Sequence, residues 1–266
     1  MINAILSHLP QDFPWKEYIH WFDTIDSTNT RAKLMGMQDA PHGTILIADS
    51  QTGGRGRLGR SFHSPGGKGI YLSLLLRPNC HASQLMHLTC ATGIAMCDAV
   101  EAATGLRPGI KWTNDLVFGA RKLGGILTEL ALDSEGSVTY AVVGIGINCN
   151  QSIDEFPEEI RSIATSLAAQ TQATIDRSDV IATMLTELHK MSETLLDQRD
   201  QMLDRYVQDC VTIGKEISVV RAEEVRHGTA VGIDREGALL VRFSDGHTEA
   251  VSSGEVSIRG MYGYVD

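Results

Sequence analysis

The chain has 266 residues, of which 42% are apolar and 21% are charged, and its formal net charge is −10. This length and apolar content suffice for one sizeable core and a small extra domain, and the charged fraction excludes an extensively disordered chain. The acidic balance argues against a surface that binds nucleic acid or anionic membrane over most of its area.

Several features of the sequence are typical of a cytoplasmic protein. Its five cysteines are odd in number and form no C-x-x-C pair, which favours reduced thiols over a disulfide framework or a zinc site. The first residues show no basic segment followed by an apolar run, so no signal peptide is predicted, and no stretch is long enough to span a bilayer. The histidines lack H-x-x-x-H and H-E-x-x-H spacing, so a structural role is expected for them.

The first 150 residues contain several segments with the patterns of strands and helices. They are a strand at 18–22, a helix that starts from the caps at 26–29 and ends at Gly36 as its C′ residue, strands at 44–50 and 70–77, an apolar helix at 83–104, and a hairpin with arms at 122–132 and 137–148. The turn of the hairpin is predicted at residues 133–136, whose sequence Asp-Ser-Glu-Gly has turn-forming chemistry.

In the second part of the chain, the sequence pattern changes near residue 212 from helical to β-rich. From residue 178 apolar residues recur at helical spacing, which predicts one long helix or two shorter ones. Residues 216–258 alternate short β-rich runs with turn signals, which predicts four or five strands of a small barrel. We therefore predict two domains, 1–212 and 213–266. Because strands and helices do not alternate regularly, an α+β fold is favoured over a doubly wound parallel sheet.

Residues 51–69 form a glycine-rich cationic loop. The segment contains seven glycines together with Arg55, Arg57, Arg60 and Lys68, and it has no Asp or Glu. Glycines let backbone N–H groups approach an anion closely, and arginines offer planar forks for carboxylate or phosphate. Taken alone, the loop is as consistent with a mobile surface segment, or an arginine-glycine segment that touches RNA, as with an anion-binding site. It does not match a P-loop.

Three further segments favour a ligand site. Residues 111–115 (Lys-Trp-Thr-Asn-Asp) combine a cation, an aromatic ring and an Asn/Asp pair, residues 122–127 begin with a lysine beside two glycines, and residues 144–148 place small residues in a strand. Together they describe a slot lined by glycine and lysine and closed by the loop. An RNA-binding protein that uses the loop and the barrel is the rival from another class; the acidic net charge argues against it.

These motifs, in this order, resemble those of biotin protein ligases. The resemblance rests on Asp26-Ser-Thr-Asn29, Gln51-x-x-Gly-Arg-Gly-Arg57, Lys111-Trp-x-Asn-Asp115, Lys122-Leu-x-Gly-Ile-Leu127 and Gly144-x-Gly-Ile-Asn148. It spans about residues 18–150 by motif, and the C-terminal part resembles the SH3-like domain of the family. The implied fold is a mixed β-sheet catalytic domain packed with helices, similar to class II synthetases, followed by a small SH3-like β-barrel.

The resemblance implies a chemistry and its partners. The expected activity is ATP-dependent activation of biotin to biotinyl-5′-AMP, with Mg²⁺, and transfer of biotin to a lysine of the biotin carboxyl carrier domain of a carboxylase. The alternative within the same fold is a lipoate or octanoate ligase or transferase; the complete Gly-Arg-Gly-Arg loop and the C-terminal barrel favour biotin. Relatives dimerise through sheet edges, so the resemblance also allows a homodimer.

The resemblance also assigns roles to individual residues. Biotin contacts are expected from Ser27, Thr28, Asn29, Gln51, Gly54, Arg55, Gly56, Arg57, Lys122, Gly125, Leu127 and Gly144. ATP contacts are expected from Arg57, Arg60, Phe62, Lys111, Asn114, Asp115, Lys122 and Asn148. Lys122, Arg57 and Lys111 would be the catalytic residues, and Asp115 or Asn114 would lie near Mg²⁺.

Three features depart from the usual family pattern. Phe62 stands where many relatives carry a tryptophan, so weaker stacking on adenine is expected. Thr113 replaces the usual proline, which makes the turn before Asp115 less rigid. About twenty residues precede the first motif, too few for the helix-turn-helix domain of some members, so no sequence-specific DNA binding is expected.

Overall fold

The computed structural model describes residues 1–221, 224–252 and 255–258. The α-helices are α1 (Ile2–His8), α2 (Thr28–Met37), α3 (Leu88–Thr104), α4 (Glu158–Arg161), α5 (Leu167–Thr171), α6 (Arg177–Thr194) and α7 (Arg199–Asp209). The strands are β1 (Ile19–Ile25), β2 (Thr44–Gln51), β3 (Gly69–Leu76), β4 (Gly109–Lys111), β5 (Asp115–Phe118), β6 (Arg121–Leu132), β7 (Val138–Asn148), β8 (Glu216–Arg221), β9 (Glu224–Ile233), β10 (Leu239–Phe243), β11 (Thr248–Val251) and β12 (Glu255–Ile258). Within these ranges, no helix has the length and apolarity that crossing a membrane requires.

Strands β1 to β7 form one mixed sheet in the order β1-β2-β3-β7-β6-β5-β4. The β1–β2 pair is parallel and the other neighbouring pairs are antiparallel. Helices α3 and α6 pack together and contact this sheet, and α2 contacts strands β2, β3 and β7. The α+β fold predicted from the sequence is confirmed.

The two faces of the sheet are covered by different helices because the strands alternate their side chains. Ile45 and Ile47 belong to the large apolar cluster that includes residues of α3 and α6. Leu46 lies between them in sequence and belongs to a smaller cluster with Ala32 of α2 and Tyr140. The central strands are therefore buried on both faces, which gives the sheet a rigid framework.

Helix α2 begins where the sequence predicts but does not end there. Ser27 is its N-cap, and the Ser27 side chain accepts a hydrogen bond from the backbone N–H of Thr30. Gly36 was predicted as the C′ residue, which is wrong, because the helix continues to Met37. A Cβ at Gly36 would lie 2.9 Å from the Tyr140 ring, so this glycine serves close packing of α2 on β7 rather than helix termination.

The apolar helix predicted at 83–104 is interrupted near its start. Residues Ala82–Leu85 form a 3-10 turn capped by His81, and the α-helix begins only at Leu88. His87, the N-cap of α3, has φ −82° and ψ 0°, which are not helical values and separate the two segments. Of the two options left open after residue 178, the structure has two helices, α6 and α7. The predicted hairpin is confirmed by the antiparallel pairing of β6 with β7.

Strands β8 to β12 form a second, antiparallel sheet in the order β11-β10-β9-β8-β12. Trp112, which follows β4 of the main sheet, contacts the turn between β9 and β10: its indole Nε1–H donates a 2.9 Å hydrogen bond to the carbonyl of Gly237. Residues 222, 223, 253, 254 and 259–266 of the predicted C-terminal domain lie outside the described residues. The boundary at residue 212 stays a prediction.

The five cysteines are all buried free thiols. Burial raises the pKa of the Cys90 thiol to about 12, and it raises the pKa of the Cys149 thiol to about 12 as well. Because the thiolate is the reactive form, these cysteines are expected to be inert at neutral pH.

Gly124 of β6 provides a test of the close contact between the central strands. A Cβ at this position would lie 2.3 Å from the carbonyl oxygen of Gly146, a backbone atom that cannot move without distorting β7. We expect Gly124→Ala to lower the free energy of unfolding by about 1–3 kcal/mol, measured by urea denaturation. Gly232→Ala is the matched control, because its nearest neighbour would lie 3.7 Å away. Equal losses in the two variants would contradict this account.

Candidate active site

A cavity of about 400 Å³ lies over the main sheet, between the glycine-rich loop, the first turn of α2, and strands β6 and β7. All but one of the site residues predicted from the sequence line it: Ser27, Thr28, Asn29, Gln51, Arg55, Gly56, Arg57, Arg60, Phe62, Lys111, Asn114, Asp115, Lys122, Gly125, Leu127, Gly144 and Asn148. The exception is Gly54, which is a buried residue of the loop itself. A Cβ there would lie 2.5 Å from the carbonyl oxygen of Phe62.

One end of the cavity is lined by hydrogen-bonded neutral side chains. The Gln51 side-chain Oε1 accepts from the backbone N–H of Thr28 at 2.8 Å and lies 3.1 Å from the Thr28 hydroxyl. The Gln51 Nε2 donates to Ser64 Oγ at 3.1 Å. The Thr28 hydroxyl also lies 2.8 Å from Ser73 Oγ of β3. These bonds fix the orientation of the Gln51 amide at the cavity wall.

Asn29 occupies the middle of the same wall and its amide is fully engaged. Its Nδ2 donates to the Leu127 carbonyl at 3.3 Å and to Glu129 Oε2 at 3.0 Å, and its Oδ1 accepts from Ser73 Oγ at 2.6 Å. The side chain sits directly on the backbone of Gly144, where a Cβ would lie 1.9 Å from Asn29 Oδ1. The absence of a side chain at Gly144 therefore makes room for this amide.

The opposite end of the cavity is charged. Lys122 Nζ lies 2.7 Å from Asp115 Oδ1, and this oxygen also accepts from Asn114 Nδ2 at 3.2 Å. Arg57 of the loop donates from Nη1 to Asn114 Oδ1 at 2.8 Å. Lys111 is buried beside this group, with 6% of its surface exposed. The segment 111–115 is thus the meeting point of the loop and strand β6.

The cavity is strongly cationic in a protein that is acidic as a whole. Five arginines and lysines line it, whereas Asp115 is the only acidic residue among the described residues of its wall. Within the described part of the chain, no group of three or more His, Cys, Asp or Glu residues is arranged to hold a metal ion. An anionic ligand would meet a converging set of positive charges here.

The glycine-rich loop is folded over the cavity as a small hairpin. Residues Arg57–Gly59 form a 3-10 turn, and Gly56 N–H donates to the Arg60 carbonyl at 2.7 Å. Phe62 N–H then donates to the Gly54 carbonyl at 2.9 Å. The Phe62 ring lies against Gly146, where a Cβ would be 2.6 Å from the ring. This contact seats the far arm of the loop on strand β7.

Several residues of the site were missed by the sequence analysis. Ser64 and Ser73 hold the polar wall, and Glu129 holds Asn29. The cavity is also lined by Ile160, Ile163 and Ala164, from a segment that pairs with Lys122 through a 2.7 Å bond from the Lys122 N–H to the Ile163 carbonyl. Isolated serines and a short apolar segment carry no distinctive pattern, so only the three-dimensional structure brings them to the site.

Family models match two parts of the chain. The model of the Biotin/lipoate A/B protein ligase family matches residues 21–148, the region that contains the cavity-forming motifs. The model of the Biotin protein ligase C terminal domain matches residues 212–259, the region of the second sheet. The order of the two matches is the order of the two sheets along the chain.

Individual relatives agree with these matches. The chain is 36% identical over 237 residues to the bifunctional ligase/repressor BirA of Bacillus spizizenii, covering 86% of this chain and 71% of the relative. It is 32% identical over 219 residues to the biotin–[acetyl-CoA-carboxylase] ligase of Mycobacterium tuberculosis, covering 80% of this chain and 78% of that protein.

A solved structure is similar over nearly the whole chain. The biotin protein ligase of Aquifex aeolicus in complex with biotin and ATP superimposes with a TM-score of 0.76 at 32% identity, covering 91% of this chain and 98% of that one. With this architecture, these motifs around one cationic cavity, and this identity to several ligases, the chain belongs to the biotin protein ligase family.

Proposed function

We propose that the cavity binds biotin at its neutral end and ATP at its charged end, joins them as biotinyl-5′-AMP, and then passes the biotin to a lysine of a biotin carboxyl carrier domain. The observation that carries this proposal is the division of one cavity of about 400 Å³ into a hydrogen-bonding wall and a cationic end. The biotin protein ligase of Aquifex aeolicus in complex with biotin and ATP, which is similar over most of the chain, supports the pairing of these two ligands.

The neutral end suits the head of biotin. Gln51 and Asn29 present amide groups that are held in fixed orientations, and Ser27 and Thr28 add hydroxyls at the start of α2. A ureido ring offers two N–H donors and one carbonyl acceptor, so a rigid wall of mixed donors and acceptors can recognise it. Arg55, Gly56, Leu127 and Gly144 would complete the biotin subsite.

The charged end serves the first chemical step. A carboxylate is a poor electrophile, so biotin must acquire a leaving group by attacking the α-phosphorus of ATP with release of pyrophosphate. Two anions must then approach each other, and fixed positive charge must offset their repulsion. Lys122 belongs to the charged end and would contact both the biotin carboxylate and the α-phosphate. Arg57 and Lys111 would act on the phosphate side.

The ion pair between Lys122 and Asp115 has a function in this scheme. At 2.7 Å, Asp115 orients the Lys122 ammonium before the substrates arrive. A charge held in place by a partner needs little reorganisation when the transition state forms, which is the physical basis of electrostatic preorganisation. Gly125 lies beside this ion pair, and a Cβ there would be in ordinary van der Waals contact with Lys122 Nζ at 3.4 Å.

The donor set at Asp115 fits a nucleotide-bound Mg²⁺. This ion is usually held by one or two carboxylates together with substrate phosphates, and Asp115 supplies one carboxylate beside Asn114, whose amide oxygen accepts from Arg57. We propose that Asp115 would hold it, where it would neutralise phosphate charge. Arg60, Phe62 and Asn148 complete the proposed ATP subsite.

The second step is attack of the acceptor lysine on the mixed anhydride, which forms the amide bond and releases AMP. The intermediate is hydrolysed if water reaches it, so the folded glycine-rich loop has a protective role. Arg57 joins the loop to Asn114 across the cavity. A cytoplasmic location suits these substrates, and we propose it for this chain.

The proposed function predicts incorporation of labelled biotin into a carrier domain. We expect incorporation with ATP and none without it, measured by retention of label on the carrier protein after gel separation. Lipoate and octanoate, offered side by side at equal concentration, should be incorporated far less. Preferential use of lipoate or octanoate would instead favour the related lipoate ligases.

Lys122→Ala tests the positive charge proposed to contact both substrates. Removing one donor from developing charge typically lowers the rate on the order of 10²–10³, and we expect this loss in biotin-dependent ATP–pyrophosphate exchange. Lys190→Ala is the control, because Lys190 is an exposed residue of α6 paired with Glu187. Near-normal exchange by Lys122→Ala would remove this residue from its proposed role.

Arg57→Ala tests the closure of the loop. Loss of the 2.8 Å bond to Asn114 should weaken closure, so more biotinyl-5′-AMP should escape per biotin transferred. The escape is measured as pyrophosphate formed in excess of biotin attached to the carrier. Arg235→Ala, at an exposed arginine of the second sheet, should behave as the unmodified protein. Tighter retention of the intermediate by Arg57→Ala would contradict the loop's protective role.

A further inference from the structure

A continuous series of polar contacts runs behind the wall of the cavity. It passes from Glu129 to Asn29 at 3.0 Å, from Asn29 to the Ser73 hydroxyl at 2.6 Å, and from Ser73 to the Thr28 hydroxyl at 2.8 Å. The Thr28 backbone N–H then donates to Gln51 Oε1 at 2.8 Å. The members come from strands β2, β3 and β6 and from helix α2. Three of the five side chains line the cavity, and each is held by a neighbour in this series.

The series begins at the near arm of the glycine-rich loop. Glu129 is a residue of β6 that the sequence analysis did not single out. Its Oε2 accepts from Asn29, while its Oε1 lies 2.7 Å from Lys33 Nζ and 3.9 Å from Arg55 Nη1. Arg55 belongs to the loop. One carboxylate therefore contacts the cavity wall with one oxygen and the loop with the other.

The series ends at the far arm of the same loop. Gln51 Nε2 donates to Ser64 Oγ at 3.1 Å, and the Ser64 hydroxyl donates to the Phe62 carbonyl at 2.9 Å. The Phe62 N–H is bonded in turn to the Gly54 carbonyl of the near arm. Both arms of the loop are thus tied to the two ends of one hydrogen-bonded series, and the series runs through the wall of the proposed biotin subsite.

The charge on Glu129 is held by its neighbours. Partial burial by itself would raise the pKa of Glu129, but hydrogen bonds from Lys33 and Asn29 and the positive charges of Lys33 and Arg55 outweigh burial and lower the pKa. The carboxylate is therefore ionised at neutral pH and accepts only. An acceptor-only partner forces Asn29 to point its Nδ2 toward Glu129 and its Oδ1 toward Ser73, so the charge also fixes the amide orientation.

We infer that Glu129 is a positioning residue that couples the wall of the biotin subsite to closure of the glycine-rich loop, acting through Asn29 on one side and Arg55 on the other. This inference rests on the proposed function, because it assigns the coupling to the step in which biotinyl-5′-AMP must be retained. Glu129 does not line the cavity, which places it behind the residues that would contact the substrates. It acts by holding Asn29 and Arg55, which line the cavity, in place.

The coupling has a physical reason. Closing a loop costs conformational entropy for each residue that becomes fixed, and contacts made only in the closed state must recover that cost. If the wall is ordered by bound biotin, Asn29 holds Glu129 in place and Glu129 offers Arg55 a fixed anion. Loop closure then follows occupancy of the biotin subsite, as retention of a water-sensitive intermediate requires.

A double-mutant cycle on the full chain tests this coupling. Glu129→Gln keeps an oxygen that accepts from Asn29 but removes the charge that attracts Arg55, and Arg55→Gln removes the loop partner. For the parent chain, both single variants and the double variant, the leak is measured as pyrophosphate formed in excess of biotin attached to the carrier. Glu187→Gln, which breaks an exposed ion pair with Lys190 on α6, is the matched control.

We expect Glu129→Gln to raise the leak about two- to fivefold, the range for one partly exposed ion pair, and to leave the KM for ATP unchanged. In the Arg55→Gln background the same substitution should raise the leak by a smaller factor, because only its contacts to Asn29 and Lys33 are then affected. Glu187→Gln should have no effect in either background. An equal effect of Glu129→Gln with and without Arg55, or none at all in a parent that leaks measurably, would overturn the inference.

A second variant examines the other arm of the coupling. Ser73→Ala removes the contact to Asn29 Oδ1 and the contact to Thr28, without touching the loop. We expect a higher KM for biotin and a raised leak together, with unfolding temperature monitored to show that the fold is kept. A raised KM with an unchanged leak would separate the wall from the loop and refute the coupling. If the parent chain forms no biotinyl-5′-AMP, the proposed function fails instead, and the two failures are distinguishable.

Discussion

The site depends on space that strand β7 leaves open. Ordinary side chains at Gly144 and Gly146 would fill the face of the sheet on which the cavity lies. Because both positions lack a side chain, the Asn29 amide packs on the backbone of Gly144 and the Phe62 ring packs on the backbone of Gly146. A Cβ at either glycine would lie closer to this neighbour than van der Waals contact allows. The polar wall and the far arm of the loop therefore both pack directly against the backbone of β7. The sheet supplies a rigid floor because its central strands are buried on both faces.

The second constraint is the concentration of positive charge in an acidic protein. Five cations line the cavity although the net charge of the chain is −10. Unpartnered cations so close together would repel each other and destabilise the fold. In the structure, Lys122 forms an ion pair with Asp115, and Arg57 donates a hydrogen bond to Asn114. Anionic substrates can take over part of this pairing, so the attraction that binds them also relieves the repulsion within the site.

The sequence allowed much of this arrangement to be predicted, and the exceptions have physical causes. The hairpin of β6 and β7, the capped start of α2 and the cationic loop depend on local patterns, and the motifs around them place all the predicted site residues except Gly54 at the cavity wall. Gly36 was misread because a glycine near the end of a helix looks the same whether it terminates the helix or makes room for Tyr140. Ser73 and Glu129 were missed because their partners are distant in sequence, and no spacing rule connects them.

The described residues that line the cavity all lie before residue 165, so none belongs to the second sheet. The contacts of Trp112 explain how this sheet nevertheless supports the site. Trp112 stands between Lys111 and Asp115, the proposed ATP-side residues. Its backbone N–H donates to Thr212 Oγ1 and its indole N–H donates to the Gly237 carbonyl, both at 2.9 Å. A buried aromatic residue held by one backbone and one side-chain hydrogen bond leaves the adjoining backbone little freedom. The second sheet is therefore part of the scaffold that holds this segment, and its position bears on the charged end of the cavity without a direct contact to it.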